Sequence, residues 1–174
     1  MTPDEISGKR VLEVGSYNVN GSLRDNILKL SPSQYIGIDI IPGPGVDIVC
    51  DSDDIIKRFG KNNFGIVIST CSLEHTQNWR TAISNMKNAC EIGGILVIIV
   101  PSIYRYHGYP YDYWRYTVQN VKDIFSDCNI LSIKEDSEEY IEKLVYAKIK
   151  KPVNFTEVDL TNYNVLEVVK LDIA

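Results

Sequence analysis

Five short apolar runs, Val11–Val14, Tyr35–Asp39, Val46–Val49, Gly65–Ser69 and Ile95–Val100, constrain this chain more than any other feature. None of them alternates apolar with polar residues. A strand with one face in water alternates, whereas a strand covered on both faces reads as a continuous run, and such strands belong mostly to parallel sheets. Parallel neighbours need crossover connections, usually helical. The segments between the runs supply them. Gly21–Leu30 reads as a helix with apolar Leu23, Ile27, Leu28 and Leu30. Asp53–Phe59 reads as a short helix capped by Asp51 or Ser52. Trp79–Cys90 carries Ala82, Ile83, Met86 and Ala89 at helical spacing. Gly93-Gly94 is expected to stop that helix, and Pro101 to end the fifth strand. One connection admits no helix, because Ile41-Pro42-Gly43-Pro44-Gly45 holds two prolines and two glycines.

Alternating strands and helices predict an α/β domain. Further on, Val118–Ser126 reads as a helix, and Ile130–Lys134 and Lys143–Ile149 as strands. The acidic connection between these two is short, so the last pair is antiparallel. The expected fold is a Rossmann-like, mostly parallel seven-stranded sheet with an antiparallel last strand and helices on both faces. Residues 1–150 are assigned to one domain. Residues 151–174 form a C-terminal tail of unknown role, with one apolar stretch at Val165–Val169.

Composition narrows the partners. The 174 residues suffice for one sizeable core. A net charge of -5 and a pI of about 5.0 disfavour binding to nucleic acid. Cys50, Cys71, Cys90 and Cys128 are widely spaced and form no C-x-x-C, so no zinc site, other metal centre or disulfide framework is expected. A reducing, cytoplasmic setting follows. The N-terminus, Met1-Thr2-Pro3-Asp4-Glu5, does not read as a signal peptide, and Ile95–Val100 is too short to span a bilayer. The oligomeric state stays open.

Open parallel sheets bind ligands beyond the carboxyl ends of their strands. Polar residues gather at those ends here: Glu13, Gly15 and Ser16 after the first strand, Asp39 after the second, Asp51 and Ser52 after the third, Ser69 and Thr70 after the fourth, Pro101 and Ser102 after the fifth. Glu13-Val14-Gly15 opens a polar loop that closes on Gly21. An acid at a strand tip such as Asp39 is placed to accept the hydroxyls of a ribose. The loop lacks the G-x-G of a dinucleotide site, and Glu13 would repel a pyrophosphate while suiting a cationic ammonium or sulfonium group. No G-K-[ST] follows, which excludes a P-loop. Singly, Gly15 also reads as a plain turn, Asp39 as a helix-capping acid and Asp51 as a helix cap; jointly they read as a pocket.

These residues resemble the class I S-adenosylmethionine-dependent methyltransferases, in particular the quinone-biosynthesis and type 11 group, from about Lys9 to about Lys150. The stations that match in order are the E-x-G loop, Asp39, Val46–Asp51, Ile68-Ser69-Thr70-Cys71-Ser72-Leu73-Glu74-His75, and Gly93-Gly94-Ile95-Leu96. The resemblance implies a methyltransferase fold and S-adenosylmethionine as cofactor. It implies that Glu13 orients the methionine end, with Gly15, Ser16 and Gly21 in the loop. Asp39 would take the ribose hydroxyls, Ile40 pack on the adenine, and Asp51 with Ser52 meet the adenine amino group. Ser69 and Thr70 would line the methionine side. Two departures stand out. The middle glycine of the family loop is absent and Gly21 comes two residues late, so the loop should bulge or place Asn18 and Asn20 in the left-handed region. The proline-glycine linker replaces a helix and should thin one face of the sheet.

An aromatic segment, Tyr104 to Thr117, hangs over the same rim. Arg105 and Arg115 are candidates to hold an acceptor's carboxylate or phosphate, and Tyr109 to stack on it. The competing reading is a loop folded under itself, with Trp114 and Tyr116 as core plugs and Arg115 paired to Asp112. The two histidines, His75 and His107, are candidate general bases, although His75 also reads as a structural partner of Glu74. The expected activity is in-line methyl transfer to a small-molecule, sugar or lipid-linked acceptor. The alternatives are a non-catalytic methyltransferase-like scaffold and, disfavoured by the missing G-x-G, a nicotinamide enzyme.

Overall fold

The computed structural model describes residues 1–19, 21–108, 111–137 and 139–168. The strands are β1 (Arg10–Val14), β2 (Gln34–Asp39), β3 (Ile48–Val49), β4 (Phe64–Thr70), β5 (Cys90–Ile103), β6 (Trp114–Arg115), β7 (Asn129–Glu135), β8 (Lys143–Lys150) and β9 (Leu166–Glu167). The helices are α1 (Pro3–Ile6), α2 (Arg24–Leu28), α3 (Ile55–Phe59), α4 (Trp79–Ala89) and α5 (Val118–Ile124). Seven strands make one sheet in the order β3-β2-β1-β4-β5-β8-β7. β1 to β5 run parallel, and β8 is antiparallel to both β5 and β7. The strand order reverses between β1 and β4. That switch point is where an open α/β sheet leaves a crevice at its carboxyl edge.

Both faces carry helices. On one, Ile55 of α3, Ile83 and Met86 of α4 and Ile124 of α5 share a buried cluster with Leu12, Val67, Leu96 and Val145 of the sheet. Each such aliphatic side chain contributes roughly 1.5–3 kcal/mol by leaving water. On the other, Ile6 of α1 and Ile27 of α2 join Val11, Ile66 and Ile68. α1 and α2 span only four and five residues. The β2–β3 linker adds no helix, so this face is the thinner one, as expected. Leu28, expected on the apolar side of α2, is 45% exposed.

Two punctuation marks act differently from the sequence reading. α4 ends at Ala89, before Gly93, because β5 begins at once with Cys90 opposite Phe64. Pro101 does not end β5. The β4 ladder stops at the Thr70–Ile99 pair, so proline's missing N–H faces no partner strand there, while its carbonyl accepts from Tyr116 N at 2.8 Å. β5 therefore continues to Ile103 along β8.

Residues 151–168 return over the α4–α5 face. Leu160 is buried, Arg80 donates to the carbonyls of Leu160 and Tyr163, and β9 pairs with β6. The stretch expected at 165–169 is described to residue 168 and holds β9. Among the described residues, no helix is long and apolar enough to cross a membrane.

Candidate active site

The glycine loop turns back at Gly15, which has φ +78°. A Cβ on this residue would stand 2.0 Å from Ser72 Oγ and 2.2 Å from Ser72 Cβ. The loop after β1 and the turn after β4 are therefore in direct contact at the switch point. Asn20 lies outside the described residues. Asn18 is absent from the left-handed region; its Oδ1 accepts from Gly21 N at 3.0 Å and closes the loop as a side-chain turn.

The proline-glycine linker buttresses this loop. Asn18 N donates to Pro44 O, and Gly45, at φ +87°, lies so close to Ser16 O that a Cβ would come within 2.4 Å. Arg24 of α2 ties the two together with both Asp47 oxygens, at 2.7 and 2.8 Å, and with Gly45 O. Asp47 in turn accepts from Gly37 N at 2.7 Å. The sequence reading missed Arg24 and Asp47 as loop supports. Their signal, an arginine and an acid separated by a strand, is too common to find.

Asp39 stands at the tip of β2 beside the loop. Its Oδ2 accepts from Tyr17 N at 3.2 Å and its Oδ1 from Ile41 N at 3.3 Å, both long bonds. Ile40 is 58% exposed next to it. Glu13 is buried at the end of β1 and accepts from Tyr35 Oη at 2.7 Å; burial pushes its carboxyl above the usual range. Asp51 takes the capping role, since its Oδ1 accepts from Asp53 N at 2.9 Å, and Ser52 is buried behind it.

Among the described residues, six buried side-chain oxygens lack a hydrogen-bond partner. Four of them belong to Ser16, Ser69 and Glu74, the residues flanking the β1–β4 switch point. Buried polar atoms are rarely left unpaired in native folds, so these four oxygens are open to a ligand or an ordered water. Thr70 lies half-buried at the end of β4, beside Ser69.

After β4 the chain turns sharply. Cys71 takes φ +48°, a strained conformation for a residue with a Cβ. Residues Leu73–His75 then form a single 3-10 turn, with Leu73 and Glu74 both buried. The aromatic segment is sewn onto this turn. Tyr113 N donates to Glu74 O, Trp114 Nε1 to Thr76 O, and Tyr116 Oη to Leu73 O. His75 Nδ1 donates to Tyr111 O at 2.5 Å. Trp114 is thus a plug, as the self-folded reading expected. Arg115 is buried and gives its N–H groups to Asp112 and to the carbonyls of Tyr104, Arg105 and Trp114. The assignment of Arg115 to the acceptor is therefore corrected: its donors are taken up by the loop it organises. Arg105 remains exposed, 3.2 Å from Glu142. Tyr109 lies outside the described residues.

The loop brings His107 to His75, with ring centroids 5.0 Å apart. Glu74 lies beneath both. Its burial, together with the negative charge of Asp112, drives its carboxyl up to about 8. Burial also holds the His75 imidazole below its ordinary value. The sequence reading named both histidines but gave Glu74 no site role, since nothing in one sequence shows that its carboxylate is buried.

No family model matches the sequence, and no curated protein does. Solved structures do match. The 1,6-didemethyltoxoflavin-N1-methyltransferase of Burkholderia thailandensis, with 1,6-didemethyltoxoflavin and S-adenosylhomocysteine bound, gives a TM-score of 0.65 at 11% identity, over 84% of this chain and 72% of that one. An S-adenosylmethionine-dependent methyltransferase from Mesorhizobium loti gives 0.61 at 14% identity, over 84% of this chain and 93% of that one. TehB from Haemophilus influenzae gives 0.63 at 16% identity, over 87% of this chain and 62% of that one. The fold is the class I S-adenosylmethionine-dependent methyltransferase fold.

Proposed function

We propose that this chain, on its class I methyltransferase fold, binds S-adenosylmethionine across the β1–β4 switch point and methylates a small-molecule, sugar or lipid-linked acceptor. One observation carries the reading. The unpartnered buried oxygens of Ser16, Ser69 and Glu74 flank the crevice where this sheet type takes a ligand. The residues around it suit the cofactor. Asp39 offers a carboxylate to the ribose hydroxyls, exposed Ile40 an apolar bed for the adenine, and Gly15 and Ser16 a close backbone. Ser69 and Thr70 face the methionine side, with Glu13 supporting from beneath. Asp51, occupied in part as a cap, is left a secondary contact to the adenine with Ser52.

When bound, S-adenosylmethionine supplies a methyl group on an electrophilic sulfonium sulfur. The chain's task is to hold the acceptor in line, exclude water and take up a proton. The aromatic segment forms the wall beside the crevice, and Arg105 at its edge is the remaining cation for an anionic acceptor. His75 and His107 are the proton acceptors. Each has Nδ1 facing a backbone carbonyl, which can only accept, so the ring proton sits on Nδ1 and Nε2 is the nitrogen left to take another. The acidic composition supports a small acceptor over nucleic acid, and the widely spaced cysteines support a reducing, cytoplasmic setting.

Isothermal titration tests the binding half. S-adenosylmethionine and S-adenosylhomocysteine are expected to bind one to one and NAD not at all. Binding of NAD alone, or of none of the three, overturns the proposal.

A further inference from the structure

One oxygen of Glu74 and the Nε2 atoms of His75 and His107 converge on one point. His75 Nε2 lies 4.0 Å and His107 Nε2 3.9 Å from Glu74 Oε1. These separations are too long for hydrogen bonds. Both imidazoles are oriented from behind. His75 Nδ1 donates to Tyr111 O, and His107 Nδ1 faces Arg105 O at 3.1 Å and Asp112 Oδ2 at 3.0 Å. With the protons fixed on Nδ1, both Nε2 lone pairs point inward. Glu74 is 1% exposed, and neither of its oxygens has a partner. A divalent cation would displace the Glu74 proton and be met by all three atoms.

We propose that Glu74, His75 and His107 bind a divalent transition-metal ion of the zinc type. Two imidazole nitrogens and one carboxylate form the donor set that such ions take when coordination positions stay open. Magnesium and calcium prefer oxygen throughout. The donor atoms all lie within 4.8 Å of one another. An ion at their centre stands roughly 2.5 Å from each, and small side-chain adjustments bring this to the ~2.0–2.2 Å of zinc bonds. Behind His107, the Arg105 carbonyl holds the Nδ1 proton and the Asp112 carboxylate lies 3.0 Å away, the kind of outer support that orients metal-bound histidines. The site joins two segments, the 3-10 turn after β4 and the aromatic loop, and sits two residues past Ser72, which touches Gly15. With the ion bound, the two Nε2 atoms are ligands and no longer take the proton themselves; the role given to the ion in their place, holding an acceptor oxygen and easing loss of its proton, rests on the methyl-transfer reading, whereas the site itself does not.

The test is a titration of chelator-dialysed protein with zinc chloride, and with cobalt(II), whose visible absorption reports nitrogen and oxygen coordination. One equivalent is expected to bind. Glu74→Gln, which keeps the shape of the side chain, and His107→Ala should each weaken zinc binding by about 100-fold or more. Circular dichroism of both variants checks that the fold survives the substitutions. No stoichiometric zinc binding overturns the proposal, as does binding that both substitutions leave intact. Zinc binding without S-adenosylhomocysteine binding would sink the methyl-transfer reading and leave the metal site standing; the reverse result would do the opposite.

Discussion

Replacing Asp39 by alanine is expected to weaken S-adenosylhomocysteine binding by about 100- to 1,000-fold while the fold survives. A carboxylate that accepts from two hydroxyls makes two charge-assisted hydrogen bonds, each worth about 1.5–3 kcal/mol. Losing both exceeds the ~2.8 kcal/mol that corresponds to a factor of 100. The side chain has little else to hold, since its bonds to Tyr17 N and Ile41 N are long, at 3.2 and 3.3 Å, and it lies half-buried at a strand tip. Calorimetry on the variant, with circular dichroism as a fold control, measures the loss. Asp39→Asn should fall between the two, because an amide oxygen still accepts but carries no charge. An alanine variant with unaltered affinity would mean that the ribose lies elsewhere.

The second large effect concerns stability. Asp127→Ala should lower the unfolding free energy by about 3–5 kcal/mol, because it strands a buried ammonium. Lys87 is fully buried in α4; its Nζ lies 2.7 Å from Asp127 Oδ2 and donates to Ile124 O at 2.6 Å. The Phe125 ring lies 5.0 Å from the same nitrogen. Asp127 Oδ2 also accepts from Val158 N at 3.0 Å, so the pair anchors the returning chain to α4. Removing both charges should harm less than removing one. The double variant Lys87→Met/Asp127→Ala is therefore expected to recover part of the loss, since a methionine stem fills the lysine's place without a charge. Urea unfolding of the three proteins reads this directly. A double variant less stable than Asp127→Ala would contradict it.

Much of the fold was legible because burial on both faces leaves a compositional trace. The runs at Val11, Tyr35 and Gly65 became β1, β2 and β4 with small changes of boundary, and the run at Ile95 became the middle of the longer β5. What misled were residues whose meaning depends on neighbours distant in sequence. Pro101 stops a strand only if a partner needs its N–H, and β4 had already ended. The pairing of β6 with β9 joins two-residue segments with no periodic signal. At the site, strand-end residues were readable, since topology alone carries Glu13, Gly15, Asp39 and Ser69 to one edge. Arg115 was not readable as a loop organiser until its carbonyl partners were placed. The cluster of Glu74, His75 and His107 escaped for the same reason. A metal search by cysteine spacing looks for ligands within one short segment, and these come from two loops that only the fold brings together.

The central claim is that a sulfonium nucleoside site lies over the β1–β4 switch point, and a crystal structure with S-adenosylhomocysteine tests it most directly. The ribose hydroxyls are expected on Asp39, the adenine against Ile40, and the sulfur toward the side occupied by Ser69, Glu74 and His107. A ligand bound away from Asp39 and the Gly15 loop would contradict the account.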